Sequence, residues 1–144
     1  MRAGVTAGAG FLLAVLWFDL MFDVQVLRSD DPDVVDSIAR YYRRVTTEAR
    51  PMNRLIALVM VGAVAALVAE VAGDDVSQWI AVASLIFAVV PIGVAATRTV
   101  PRAVRLGAQT EVHAHQLAMA RLILREHLFC LACIVAVLVL QLAA

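Results

Sequence analysis

The chain has 144 residues, of which 62% are hydrophobic and 17% charged, and its formal net charge is zero. Soluble domains are roughly 45–50% apolar, so this composition excludes an ordinary soluble domain of the same size. The balanced charge provides no overall field to attract nucleic acid, and two cysteines do not make a disulfide framework. We therefore expect an integral membrane protein without a nucleic-acid partner.

Four apolar runs are each long enough, or nearly so, to cross a bilayer, which takes about 20 helical residues. The second run is interrupted only by Glu70, and the third and fourth carry no charge. Because lipid offers the backbone no hydrogen-bond partner, each run is expected to be helical. The sequence thus predicts an all-α polytopic membrane protein with a single four-helix transmembrane domain over 1–144. The four helices of this bundle are expected at about 3–27, 52–72, 78–97 and 102–143.

The connection between the first two runs has a helical pattern of its own. Val34, Ile38, Tyr41 and Val45 recur at helical spacing among several arginines. This pattern is typical of a short amphipathic helix that lies in the headgroup layer. We expect such an interfacial helix at about 33–46.

The connection before the last run is expected to belong to the last helix. Pro101 suits the first turn of a helix, and only Gly107 interrupts the stretch from Arg102 to Ala144. The fourth helix is therefore expected to begin well inside the cytoplasm and to continue without a break into the membrane.

The arginines are distributed unevenly over the three connections. Eleven of the twelve lie in 28–54 and 98–125, whereas the short turn 73–77 has no basic residue. By the positive-inside rule both arginine-rich connections face the cytoplasm and both termini face outward. We expect a multi-pass protein of the cell's inner (plasma) membrane.

Ionisable residues at the inner ends of the first and fourth helices form the candidate site. Asp19 and Asp23 are four apart and share one helix face, and so do Arg121 and Arg125. Carboxylates at membrane depth are costly and tend to mark function. If the two helices are antiparallel neighbours, the acidic pair faces the basic pair. His127 lies at about the depth of Asp19 and completes the predicted cluster.

Two interpretations of this cluster are open. In one, it binds a lipophilic or amphiphilic small molecule, a membrane lipid included. His127, Asp19 and Asp23 are then the catalytic candidates, because an imidazole exchanges protons near neutral pH. In the other, the cluster is a structural ring of ion pairs in an accessory subunit of a larger membrane complex or of a homo-oligomer. A cavity beside the cluster favours the first interpretation, and full pairing favours the second.

The remaining histidines do not predict a metal or haem site. His113 and His115 are two residues apart and point to different faces of a helix. His113 and His127 share a face, but they are 14 residues apart, which is about 21 Å along the axis. All three lie on one helix, whereas bis-histidine haem ligation needs two. We expect no metal and no cofactor.

Two families of small four-helix membrane proteins resemble the chain. Cys130 and Cys133 form a CxxC motif in the last run, as in the vitamin K epoxide reductases, although that family uses a second cysteine pair that is absent here. A redox pair is what this likeness implies, and helix packing is the alternative. The length, the hydropathy layout and Arg121, Arg125 and His127 resemble the family that includes anthrone oxygenases. That resemblance implies cofactor-independent oxygenation of a lipophilic phenolic substrate, with a base that removes a proton.

Overall fold

The four apolar runs fold into four membrane-crossing helices in the structure, a computed structural model. It describes residues 2–73 and 76–144, without the side chain of Arg50. Asp74 and Asp75, the acidic pair of the short turn between the second and third spans, lie outside the described residues.

The described part of the chain is helical almost throughout and contains no strand, which confirms the all-α class. A 3₁₀ turn, Val24–Leu27, extends the first helix, and two π-helical segments, Arg44–Glu48 and Ala95–Thr99, follow the second and fourth helices. The α-helices are α1 Arg2–Asp23, α2 Pro32–Arg43, α3 Arg50–Ala72, α4 Gln78–Val94, α5 Val100–Ala108 and α6 His113–Ala143.

The spanning helices form a ring in the order α1, α3, α4, α6. α1 contacts α3 and α6, α4 contacts the same two helices, and no contact joins α1 to α4 within the described ranges. Small residues bring α1 close to α3, because a Cβ placed on Gly8 would lie 3.4 Å from the Cβ of Ala63. Apolar side chains from all four helices fill the middle of the ring, among them Leu12, Leu67 and Val137.

A pair of short helices, α2 and α5, closes the bundle on the arginine-rich side, and we call this pair the inner cap. Asp31 starts α2, since its carboxylate accepts a hydrogen bond from the Asp33 amide at 3.0 Å and Pro32 occupies the first turn. A helix is therefore present in the connection where the sequence predicts the interfacial helix. Its fully buried side chains, Ile38 among them, pack on the bundle together with Leu106 of α5.

Gly107 sets the closeness of the two cap helices. A Cβ placed at this position would lie 2.7 Å from the backbone nitrogen of Arg43 and 2.9 Å from its Cα. No real side chain tolerates such contacts with backbone atoms, so glycine allows α5 to lie directly against the end of α2.

The expectation of one unbroken helix from Arg102 to Ala144 is wrong. Gln109 adopts a left-handed conformation with φ of 52°, which ends α5, and α6 begins only at His113. The segment between them contains no glycine or proline, and Gly107, two residues before Gln109, was the only possible breaker signal nearby. α5 instead continues the third span through the π-helical segment Ala95–Thr99.

Candidate functional site

Asp23, at the inner end of α1, is fully buried, and its carboxylate is shared by α2 and α6. The hydroxyl of Tyr42 donates to Oδ1 at 2.6 Å, and Nδ1 of His127 lies 2.6 Å from Oδ2. The same imidazole nitrogen lies 3.4 Å from the Tyr42 oxygen. Because a carboxylate oxygen only accepts, Nδ1 carries the proton of its bond to Asp23.

Asp19 lies one turn earlier on the same face of α1. The hydroxyl of Tyr41 donates to its Oδ1 at 2.6 Å, and its Oδ2 is 3.9 Å from Nε2 of His127. The ring of Phe22 stacks on Tyr41 with 4.0 Å between centroids. The imidazole is thus placed between two carboxylates, each of which accepts from a tyrosine. We call Asp19, Asp23, Tyr41, Tyr42 and His127 the inner polar cluster.

The two tyrosines act as permanent donors. Burial, followed by the nearby carboxylates, raises the pKa of Tyr41 and of Tyr42 above the usual value near 10. Both phenols therefore keep their protons at neutral pH and hold α2 against α1.

The inner polar cluster is internally paired. Within residues 2–73 and 76–144, the buried side-chain atoms that lack a hydrogen-bond partner belong to Arg2, Glu70 and Gln141, and none belongs to the cluster. Two pockets of the molecule lie elsewhere, one between α3 and α4 and one between α5 and α6. The full pairing of these side chains favours a structural role for the cluster over the binding of a small molecule.

The predicted arginine partners of the acidic pair are wrong. Arg121 pairs with Asp30, beyond the end of α1, and Arg125 is exposed. The helix period explains the difference, because Arg125 is two residues, or about 200°, from the face on which His127 meets Asp23. Arg121 is six residues from His127, so it also leaves this face and lies about 9 Å nearer the start of α6.

The other histidines lie at the start of α6, just after the connection from α5. His113 Nε2 is 3.0 Å from the backbone oxygen of Asp30, and His115 is 3.6 Å from Glu111. A hydrogen bond from Arg105, followed by the nearby His115, lowers the pKa of the partly buried Glu111 below its usual range. No group of three or more His, Cys, Asp or Glu is arranged to hold a metal ion in the part of the chain that the structure describes.

Both cysteines are free and buried where α6 packs. Cys130 Sγ is 3.7 Å from the backbone oxygen of Pro91 in α4, a weak hydrogen bond that uses the carbonyl near the helix-internal proline. This contact is of the kind expected from helix packing.

A second polar cluster, which the sequence reasoning missed, joins all four spans at the opposite end of the bundle. The Gln141 amide of α6 donates to Glu70 of α3 at 2.9 Å and to Ser84 of α4 at 3.3 Å. Arg2 of α1 donates to the Gln141 backbone oxygen at 2.9 Å. The only sequence signal was Glu70, a lone charge inside an apolar run. We call Arg2, Glu70, Ser84 and Gln141 the outer polar cluster.

An apolar groove of about 470 Å³ lies between α3 and α4 and is open along the side of the bundle. Val61, Val64 and Ala65 of α3 and Ile92 and Gly93 of α4 are among its lining residues. A Cβ placed on Gly93 would meet no atom within 4 Å, so this glycine has no internal packing role. We call this feature the α3–α4 groove.

The fold and its polar clusters define the class of protein, a small polytopic membrane protein whose ionisable groups tie its own helices together. The chain matches, over residues 1–144, the SHR3 chaperone family, which is described as ER membrane protein SH3. Since the match covers the whole chain, the protein belongs to this family. No curated protein and no solved structure matches the chain.

The family membership corrects three expectations. The resemblance to the family of anthrone oxygenases, and the oxygenase activity it implied, are wrong, because the chain belongs to a chaperone family. The interpretation of the cluster as a site for a lipophilic or amphiphilic ligand is overturned by the same finding. The family description refers to the ER membrane, whereas we had expected the plasma membrane. That the protein is a membrane protein with four spans is confirmed.

Proposed function

We propose that the protein is a membrane-embedded chaperone that holds helices of other polytopic membrane proteins while they fold or assemble. The match of the whole chain to the SHR3 chaperone family is the observation that carries this proposal. Its partners are then client membrane proteins, in keeping with membership of a larger membrane complex.

Two features of the structure support a holding function. The inner polar cluster is paired within the chain and ties α1, α2 and α6 together at one end of the bundle. The sides of the spanning helices are apolar, with large exposed side chains such as Val61 and Val139. In a bilayer such surfaces meet either lipid or another helix, and helix association there depends on close packing.

The proposed topology places the inner cap and both arginine-rich connections on the cytosolic side, with both ends of the described chain on the opposite side. The distribution of arginines supports it. A cysteine introduced at Glu48 should resist a membrane-impermeant thiol reagent in sealed vesicles of native orientation, whereas one at Ser77 should react. The reverse pattern would invert the assignment.

The chaperone function is tested by removing the protein from its own cells and by crosslinking. Loss of the chain should lower the folded amount of a subset of polytopic membrane proteins and leave single-span proteins at their normal level. A photo-crosslinking side chain at Val64 or Val139, both in the membrane, should capture newly made membrane proteins briefly and release them with time. An unchanged set of membrane proteins together with no such capture would overturn the proposal.

A further inference from the structure

Two arginines lie on the arginine-rich side of the α3–α4 groove, outside its lining. Arg54 is two helical turns before Val61 and on the same face of α3. Arg98 lies in the π-helical segment after α4 and follows Gly93 by five residues, which is the separation between hydrogen-bonded residues in a π-helix. At about 1.5 Å per residue, each guanidinium is attached within roughly 10 Å of the groove along the axis.

These two arginines differ from the paired arginines of the inner side. Arg102 and Arg105 each contact a glutamate. Arg54 and Arg98 are exposed, and neither contacts a carboxylate among the described residues. The groove therefore has apolar walls, and two arginines without an ion pair among the described residues are attached within roughly 10 Å of it along the helix axes.

On the basis of the proposed chaperone function, we propose that the α3–α4 groove docks a client transmembrane helix whose cytosolic flank is acidic. The size of the groove suits a few side chains from one face of a helix. The charges select the flank, because opposite charges attract a partner and like charges disfavour it. A lipid phosphate satisfies the same charges, and the experiment below separates the two occupants.

This selectivity has a physical rationale. Most membrane helices carry arginine or lysine on the cytosolic flank, which orients them and would repel Arg54 and Arg98. A helix with an acidic cytosolic flank lacks that orienting signal. Such helices are the ones that gain most from a partner that supplies the positive charge.

The test uses two synthetic probe helices and the whole protein in nanodiscs of phosphatidylcholine. The probes share a 20-residue Leu/Ala core and differ only in two aspartates or two lysines at the cytosolic flank. Binding is measured by energy transfer between labels on probe and protein. The aspartate probe should bind more tightly, by about two- to five-fold for each arginine, which is the effect of a surface ion pair.

Variants of the protein distinguish the contribution of the groove to binding from that of the two arginines. A Cβ added at Gly93 meets nothing within 4 Å, so Gly93→Leu should place its side chain in the groove and weaken both probes. Gly10→Leu on α1, where a Cβ also meets nothing within 4 Å, should change neither. Arg54→Glu with Arg98→Glu should reverse the preference, while Arg28→Glu should preserve it. Equal binding of the two probes, or loss of the preference in the Arg28 control, would overturn the charge selection.

Two further outcomes assign the occupant and separate this inference from the chaperone function. If phosphatidylglycerol displaces both probes completely, the groove holds lipid and the inference is overturned. If Gly93→Leu still captures newly made membrane proteins through a crosslinker at Val64, the docking site is wrong while the chaperone function stands. If neither the wild type nor the variant captures them, the chaperone function itself fails.

Discussion

The hydrogen bond between Tyr42 and Asp23 should be a principal attachment of the inner cap to the spanning helices. Replacing Tyr42 with phenylalanine removes only the hydroxyl, so the ring still fills its buried site. Replacing Asp23 with leucine removes both acceptor oxygens at similar volume. This second change deprives two buried donors, the Tyr42 hydroxyl and Nδ1 of His127, of their acceptor.

The coupling free energy between Tyr42 and Asp23 can be estimated from two typical ranges for the strength of a hydrogen bond. A hydrogen bond to a charged group contributes about 1.5–3 kcal/mol, whereas side-chain hydrogen bonds within membranes reach at most about 1.7 kcal/mol. The ranges overlap near 1.5 kcal/mol, which is the coupling we expect for Tyr42 and Asp23. The single Asp23→Leu change should cost more, about 3–5 kcal/mol, because it leaves buried partners unpaired.

A double-mutant cycle on the free energy of unfolding measures this coupling. The wild type, Tyr42→Phe, Asp23→Leu and the double variant would be unfolded by SDS in mixed micelles and followed by circular dichroism. The control cycle combines Asp23→Leu with Arg121→Ala, which should be additive within about 0.5 kcal/mol because these side chains do not meet. A coupling below about 0.5 kcal/mol for Tyr42 and Asp23 would refute the role of the hydrogen bond.

Three other changes test the structure elsewhere. Gly107→Ala should destabilise the cap by about 1–3 kcal/mol, because the new Cβ would lie 2.7 Å from a backbone nitrogen of α2. The control Gly62→Ala adds a Cβ that meets nothing within 4 Å and should leave the thermal unfolding temperature unchanged. Because folding raises the pKa of Tyr41 and Tyr42, their contribution to stability is present below pH 10 and is lost above it. The free energy of unfolding should therefore fall between pH 9 and 12, and it should fall less when both residues are replaced by phenylalanine. Glu70→Leu should cost about 0.6–1.7 kcal/mol in SDS unfolding, because a buried amide of α6 loses an acceptor; a stabilised variant would contradict the outer polar cluster.

The length and spacing of apolar residues were sufficient to predict the four spans and the interfacial helix. The break before α6 escaped prediction because Gln109 adopts a left-handed conformation that is usual for glycine and uncommon for glutamine. The stretch after Arg102 was therefore assigned to the fourth helix, although α5 continues the third span and packs on α2.

Residue spacing predicts which side chains share a helix face, and only this part of the candidate site could be predicted from the sequence. Asp19, Asp23 and His127 meet in the structure where the inner end of α1 packs on the middle of α6. Opposite charge then favoured arginines as the partners of Asp19 and Asp23, but in the structure the two carboxylates accept hydrogen bonds from tyrosine hydroxyls of α2. The sequence analysis had assigned Tyr41 to the apolar stripe of the interfacial helix. A tyrosine can both belong to an apolar face and donate a hydrogen bond, because its ring is apolar and its hydroxyl is a donor.

The contacts of α1 also impose an order on biosynthesis. α3 and α4 are adjacent along the chain and in space, so they can associate as soon as both have entered the membrane. α1 is made before α6, yet residues at both of its ends find partners on α6, where Asp23 meets His127 and Arg2 meets Gln141. A nascent chain that lacks α6 therefore keeps a carboxylate and a guanidinium without these partners. We expect the ring to close only after α6 has been inserted, so that this member of a chaperone family itself passes through an open, incompletely paired state.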